Sequence, residues 1–160
     1  MSTFVRRQAM EGRVRSGDTW VARRTFTEEE TLAFGDLIRD YNPVHYDDRF
    51  AAARGFPQRI LHGMLTASMV CEPGGQSGWL ATSMSFTFRK PVHFGDTLEC
   101  RLTIREIDER GFAHADAVFT NQHGECVLEG TLSGFLPNGS AREVLQCMVE
   151  EGDPSNKLHE

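Results

Sequence analysis

Apolar positions along the chain follow two different periods, helical in the first half and strand-like in the second. Residues 27–40, T-E-E-E-T-L-A-F-G-D-L-I-R-D, open on Thr27 and three glutamates, an N-cap residue with acids where the helix dipole favours them. Leu32, Ala33, Leu37 and Ile38 then recur at helical spacing, and Pro43 disfavours helical geometry at Asn42, which predicts a helix ending there. A short helix over D-D-R-F-A-A-A-R follows, capped by Asp47 and stopped by Gly55. In residues 60–71, I-L-H-G-M-L-T-A-S-M-V-C, apolar side chains cover nearly every face, the pattern of a helix buried all round.

Downstream, Met84, Phe86 and Phe88 alternate with Ser83, Ser85, Thr87 and Arg89, and Leu98, Cys100, Leu102 and Ile104 alternate with Glu99, Arg101, Thr103 and Arg105. These are strands with one buried face. Turn residues at Phe94-Gly95-Asp96, 108–111 and 121–124 separate them from strands over 112–120 and 126–136. An antiparallel meander is expected, with residues 19–26 as an early strand of the same sheet. One enclosed helix against a curved antiparallel sheet is an α+β architecture. The expected organisation is an N-terminal arm over 1–18, frayed, one domain over 19–137, and a tail over 138–160 with a short helix around 141–150 and a disordered end.

The 160 residues fit one domain, and 39% hydrophobic with 25% charged content is that of a globular chain. A net charge of −6 supplies no bulk attraction for nucleic acid or an anionic membrane, and no run has the length of a membrane span. Cys71, Cys100, Cys126 and Cys147 lie far apart without a C-x-x-C pair, so they read as reduced thiols, and the chain as cytoplasmic. The Arg-rich start has no apolar core of a secretory signal; Glu11 and its shortness weigh against a transit peptide.

The candidate chemistry sits in D-Y-N-P-V-H-Y-D-D, residues 40–48. Pro43 stiffens the bend and holds Asn42 extended, so Asp40 and His45 can face one small molecule such as water, as a general acid–base pair. The same residue types are common in turns and helix caps, and both readings stand on these residues alone. A metal held by Asp40, His45, Asp47 and His62 lacks a compact ligand signature, and no metal is expected. His62-Gly63 lies at the mouth of the buried helix, where free N–H groups suit an oxygen gaining negative charge; a cap and a packing glycine are the alternative. Arg89 and Lys90 end a strand and suit phosphates or plain solvent. Tyr46, Phe56 and Met64 suit either a ligand pocket or the core.

Four stretches together, D-Y-N-P-V-H-Y-D at 40–47, A-x-x-x-G-F at 51–56, I-L-H-G-M-L at 60–65 and S-F-x-F-R-K-P-V-x-x-G-D at 85–96, resemble the MaoC-like, R-specific enoyl-CoA hydratases of the hot-dog superfamily. The resemblance implies a hot-dog fold, a long central helix wrapped by a curved antiparallel sheet, in a homodimer or dimer of dimers. It implies reversible syn hydration of a trans-2-enoyl-CoA to an (R)-3-hydroxyacyl-CoA, with Asp40 and His45 as the dyad and the Gly63 N–H on the thioester oxygen. No separate cofactor is implied, since the coenzyme A thioester is the substrate. Asn42 takes a supporting role at the bend. The chain departs from the family in carrying Ile38-Arg39 where Ser-Gly often precedes the aspartate, and Cys71 where relatives can have a pocket serine. The alternatives are a dehydratase on acyl-carrier protein, a hot-dog thioesterase and a non-catalytic acyl-CoA binding subunit.

Overall fold

The computed structural model describes residues 13–153 and 155–158, together with Thr3, Phe4 and Arg7. Five antiparallel strands form the sheet: β2 (Thr19–Thr25), β3 (Leu80–Phe88), β4 (Thr97–Ile107), β5 (Phe112–Thr120) and β6 (Cys126–Phe135). A two-residue strand, β1 (Thr3–Phe4), runs parallel to β2 at one edge. The spatial order is β1-β2-β4-β5-β6-β3, so only β4, β5 and β6 form the expected meander.

Because β2 and β3 lie on opposite sides of that meander, the chain between them has to cross the sheet. Four strand spacings are about 19 Å, and a helix over residues 63–77 is about 22 Å long. That segment comprises α3 (Gly63–Ala67), a 3₁₀ turn (Ser68–Val70) and α4 (Cys71–Ser77). It begins three residues later and ends six later than its apolar pattern predicts. Pro73 accounts for the tightened middle: it has no N–H to donate to the Met69 carbonyl, and its ring crowds that turn. Leu65, Ala67, Met69 and Val70 join Leu98, Leu102, Ile104, Phe119 and Leu128 in one core. Ala113, Ala115 and Ala117 add little bulk to the inner face of β5, which leaves room for the helix. Burial pushes the Cys100 thiol up to about 12, so it serves as a small core residue and not as a nucleophile.

The alternation in β4 is buried as expected, with Leu98, Cys100, Leu102 and Ile104 inside. That in β3 is not. β3 is the sheet edge, and Met84 and Phe88 remain 48% and 53% exposed. Phe86 alone among the three packs on the core, its ring covering Gly130 on β6, where a Cβ would come within 2.5 Å of it.

Two smaller helices, α1 (Glu28–Ile38) and α2 (Asp48–Ala53), precede the central one. Thr27 and Glu30 form a capping box at the start of α1. The helix stops at Arg39, left-handed at φ 58°, before the proline that was expected to end it. Its buried face is Thr31 and Gly35, while Leu37 is 80% exposed. Asp47 caps α2 and also binds Arg49, which holds its carboxyl well below the usual range. A fifth helix, α5 (Gly139–Glu150), follows the last strand. Beyond it Asp153 and Asn156 are buried, the first paired with Arg7 and the second with Gln76, so these described residues correct the expected disordered end. Half of the expected N-terminal arm lies outside the described residues; Arg7 within it also donates to the Gly75 and Gln76 carbonyls. No helix among the described residues is long and apolar enough to cross a membrane.

Gly35 is the point where α1 meets the bend. A Cβ there would lie 2.0 Å from the Tyr46 hydroxyl and 2.9 Å from the His62 ring. Glycine to alanine in a helix interior ordinarily gains about 1 kcal/mol, but an overpacked contact costs roughly 1–3 kcal/mol. Gly35→Ala is therefore expected to lower unfolding stability in urea, reversing the propensity trend; an unchanged or raised midpoint would contradict this packing.

Candidate active site

The bend is built from its own backbone. Residues Pro43–His45 form a 3₁₀ turn, with the Asn42 side chain accepting the Val44 N–H at 3.2 Å. The Asn42 N–H in turn donates to Asp40 Oδ1 at 3.1 Å, so two side chains grip adjacent peptide groups. His45 is carried inward to 7% exposure, and its Nδ1 lies 2.8 Å from the Ile60 carbonyl. A carbonyl only accepts, so the proton is on Nδ1 and Nε2 keeps its lone pair. Nε2 stands 3.7 Å from Asp40 Oδ2, beyond a direct hydrogen bond and close enough for one water to touch both.

A second layer fixes Asp40 from behind. Its carbonyl accepts from the Tyr46 hydroxyl at 3.0 Å and faces His62 Nε2 at 3.1 Å, which therefore carries the proton. The His62 ring, 1% exposed, stacks on His45 with centroids 3.9 Å apart and planes at 30°. Burial holds the His45 pKa below its ordinary value and the adjacent His62 adds to that; the Ile60 carbonyl and the Asp40 carboxylate act against it. The site thus holds a neutral imidazole at neutral pH. Asp40, His45 and His62 each offer a ligand atom, all within 4.8 Å of one another. Two stacked imidazoles direct their in-plane lone pairs side by side, so a cation there would require the rings to splay.

His45 opens on a cavity of about 350 Å³ that Gly63 and Thr66 also line. Phe56, Leu61, Val92, Val127 and Leu128 make most of its walls apolar. His62 precedes the central helix without a side-chain cap, and its carbonyl takes the Leu65 and Thr66 N–H groups. The Gly63 and Met64 N–H groups, the first two of the helix, have no acceptor among the described residues. Phe88 lies across Gly63, where a Cβ would meet its ring at 2.7 Å, so glycine keeps this helix end open to both the ring and the cavity. The arrangement puts a basic imidazole and an anion-stabilising helix end on one largely apolar chamber, with the Asp40 carboxylate outside its lining and reaching it only beside His45 Nε2.

Arg89 and Lys90 line the mouth, paired with Glu129 and Glu125 respectively. Phe56 lies in the wall. Other candidate residues are displaced from the cavity. His62 and Tyr46 sit behind Asp40 and His45 and bear on the Asp40 carbonyl, Asn42 is spent on the turn, and Met64 faces outward, 58% exposed. Cys71 is exposed, two helical turns beyond Gly63 and outside the cavity. Ile60, Thr66 and Phe88 are among the lining residues the sequence did not single out, with the apolar wall residues. Ile60 acts through its carbonyl, which no side-chain pattern marks, and Phe88 was counted with a core-facing alternation.

The family described as MaoC like domain matches residues 15–125. A mitochondrial 3-hydroxyacyl-[acyl-carrier-protein] dehydratase of Arabidopsis thaliana is 31% identical over 128 residues, covering 76% of this chain and 77% of that protein. The 3-hydroxybutyryl-CoA dehydratase of Methylorubrum extorquens is 31% identical over 141 residues, 85% of this chain and 89% of its own length. Among solved structures, the (R)-hydratase from A. caviae involved in PHA biosynthesis superposes with a TM-score of 0.73 at 29% identity, over 78% of this chain and 98% of that one. With the family matched over more than half of its length and relatives above 30% identity across most of it, the chain belongs to the MaoC-like domain family and has its hot-dog fold.

Proposed function

We propose that the chain, a hydro-lyase by its family and relatives, adds water reversibly to a trans-2-enoyl-CoA and forms an (R)-3-hydroxyacyl-CoA. The observation that carries this reading is the neutral His45 Nε2, 3.7 Å from Asp40 Oδ2, on the same cavity as the uncapped Gly63 N–H.

In this reading one water sits between the pair, held by the Asp40 carboxylate. His45 Nε2 takes its proton as the water oxygen bonds to C3. The C2–C3 double-bond electrons move toward the thioester oxygen, whose growing charge meets the Gly63 N–H. The protonated His45 then returns the proton to C2, which restores the base and gives syn addition, because both steps use one face. No cofactor enters this cycle; coenzyme A is part of the substrate. Phosphates of the carrier are drawn to Arg89 and Lys90, whose exposed ion pairs are each worth only about 0–1 kcal/mol and are readily exchanged. These two pairs do not by themselves separate coenzyme A from an acidic carrier protein; crotonyl-CoA turned over more slowly than crotonyl-acyl-carrier protein would favour the carrier protein.

We also propose a homodimer formed through β3. Its outer edge has unpaired backbone groups beside exposed Leu80, Met84 and Phe88, a surface that a strand from a second copy would cover. Self-pairing across a two-fold axis is necessarily antiparallel.

Loss of enoyl absorbance on crotonyl-CoA, followed with thiol release in parallel, tests the chemistry. Asp40→Asn and His45→Gln are each expected to cut hydration by about 10²-fold or more without changing the far-ultraviolet circular dichroism. Thiol release without hydration would indicate a thioesterase, and binding with neither signal a binding subunit. For pH, the active form carries neutral His45, so kcat/KM rises with pH through the His45 pKa and then levels off. With that pKa lowered from 6.5, activity at pH 6.5 should already exceed half of the plateau; a midpoint above 6.5 would count against His45 as the base. Met84→Lys is expected to convert a dimer to monomer in sedimentation equilibrium, and a dimer unaffected by it would move the interface off β3.

A further inference from the structure

Thr66 stands apart from the other helical hydroxyls that are wholly or partly buried. Thr31 donates to the Thr27 carbonyl at 2.9 Å, Ser68 to Leu65 at 2.6 Å and Ser77 to Pro73 at 2.8 Å, each bonding back to its own helix. Thr66 Oγ1 makes no such bond and has no partner among the described residues, although the residue is only 2% exposed. The carbonyl four residues back, His62, is already taken by the Leu65 and Thr66 N–H groups. An unpaired hydroxyl in the core is costly, and valine would fill the same space without that cost.

Its position suggests what the hydroxyl is for. Thr66 lines the cavity that holds His45 and Gly63, whose walls are otherwise largely apolar. Side chains on a helix lean toward its N-terminus, so the Thr66 side chain lies over the turn that begins at Gly63, where the free N–H groups are. A ligand oxygen on the Gly63 N–H is therefore within the reach of a Thr66 hydroxyl that turns about its Cα–Cβ bond.

We propose that Thr66 contacts the substrate, donating a second hydrogen bond to the thioester oxygen beside the Gly63 N–H; this rests on the function proposed above. The bond strengthens as the oxygen gains charge, so the hydroxyl acts on the chemical step more than on binding. The proton stays on Oγ1 throughout, and no covalent step is involved.

Thr66→Val and Thr66→Ser separate this role from a structural one, with crotonyl-CoA as substrate. Thr66→Val is expected to lower kcat by about 10- to 100-fold with a much smaller change in KM. Its melting temperature should not fall, since an orphaned hydroxyl has been removed. Thr66→Ser keeps the donor and should stay within about threefold of the parent kcat. In a His45→Gln background, bound crotonyl-CoA should show its enoyl absorbance shifted to longer wavelength, and adding Thr66→Val should reduce the shift. Parent-like kcat in Thr66→Val, or an undiminished shift, overturns this inference alone. No hydration by the unaltered protein overturns the proposed function and this inference with it.

Discussion

The central helix turns Leu65, Ala67, Met69 and Val70 into the core and leaves Met64 and Cys71 at the surface, so most of its girth has to be enclosed, and the rest of this architecture follows from that need. The sheet curves around residues 63–77, with alanines on β5 leaving the space and β2 and β3 displaced to opposite sides of the meander. Enclosure also decides where the chemistry lies. A buried helix presents unpaired N–H groups only at its first turn, and here that turn opens into the cavity instead of receiving a side-chain cap. The same helix that stabilises the core thereby supplies the two unpaired N–H groups at the cavity.

The bend at 40–45 is tied to that end by backbone carbonyls. The Ile60 carbonyl fixes the proton of His45, and the Asp40 carbonyl gathers Tyr46 and His62. Neither interaction uses a carboxylate, so the Asp40 side chain stays available on the His45 side. Gly35 makes the second arrangement feasible, because any larger residue would occupy the space of the Tyr46 hydroxyl. The placement of Asp40 beside His45 thus depends on a glycine in a different helix. Burial disfavours charge on His45, and the His62 ring stacked on it adds to that.

Much of this was legible in the sequence because the signals are local. Thr27 with Glu30, Asp47 before α2, the β4 alternation and the D-x-N-P-x-H bend each follow from neighbours a few residues apart. What escaped was set by tertiary position. Met84 and Phe88 have the alternation of a buried face, but β3 falls at the edge, and a period cannot report which strand is outermost. Leu37 and Ile38 have helical spacing, yet α1 docks through Gly35, whose advantage is the absence of a side chain. His62 read as a ligand-facing residue because it adjoins Gly63; the turn into the helix sends its ring the other way, under His45. Thr66 carried no signal at all, since an unpaired hydroxyl is visible only once its neighbours are placed.

Phe88 belongs to two environments at once. It ends the exposed edge strand, and its ring lies against Gly63 at the cavity. An aromatic ring half exposed to water has little holding it on that side, whereas a strand added to β3 would pack against it and restrict its rotation. In the function proposed, the gap between this ring and the Gly63 N–H is the space through which a thioester oxygen approaches. The order of the sheet edge and the shape of the oxyanion site are therefore one physical problem. The apolar residues that β3 leaves uncovered are, through Phe88, part of how the cavity is defined.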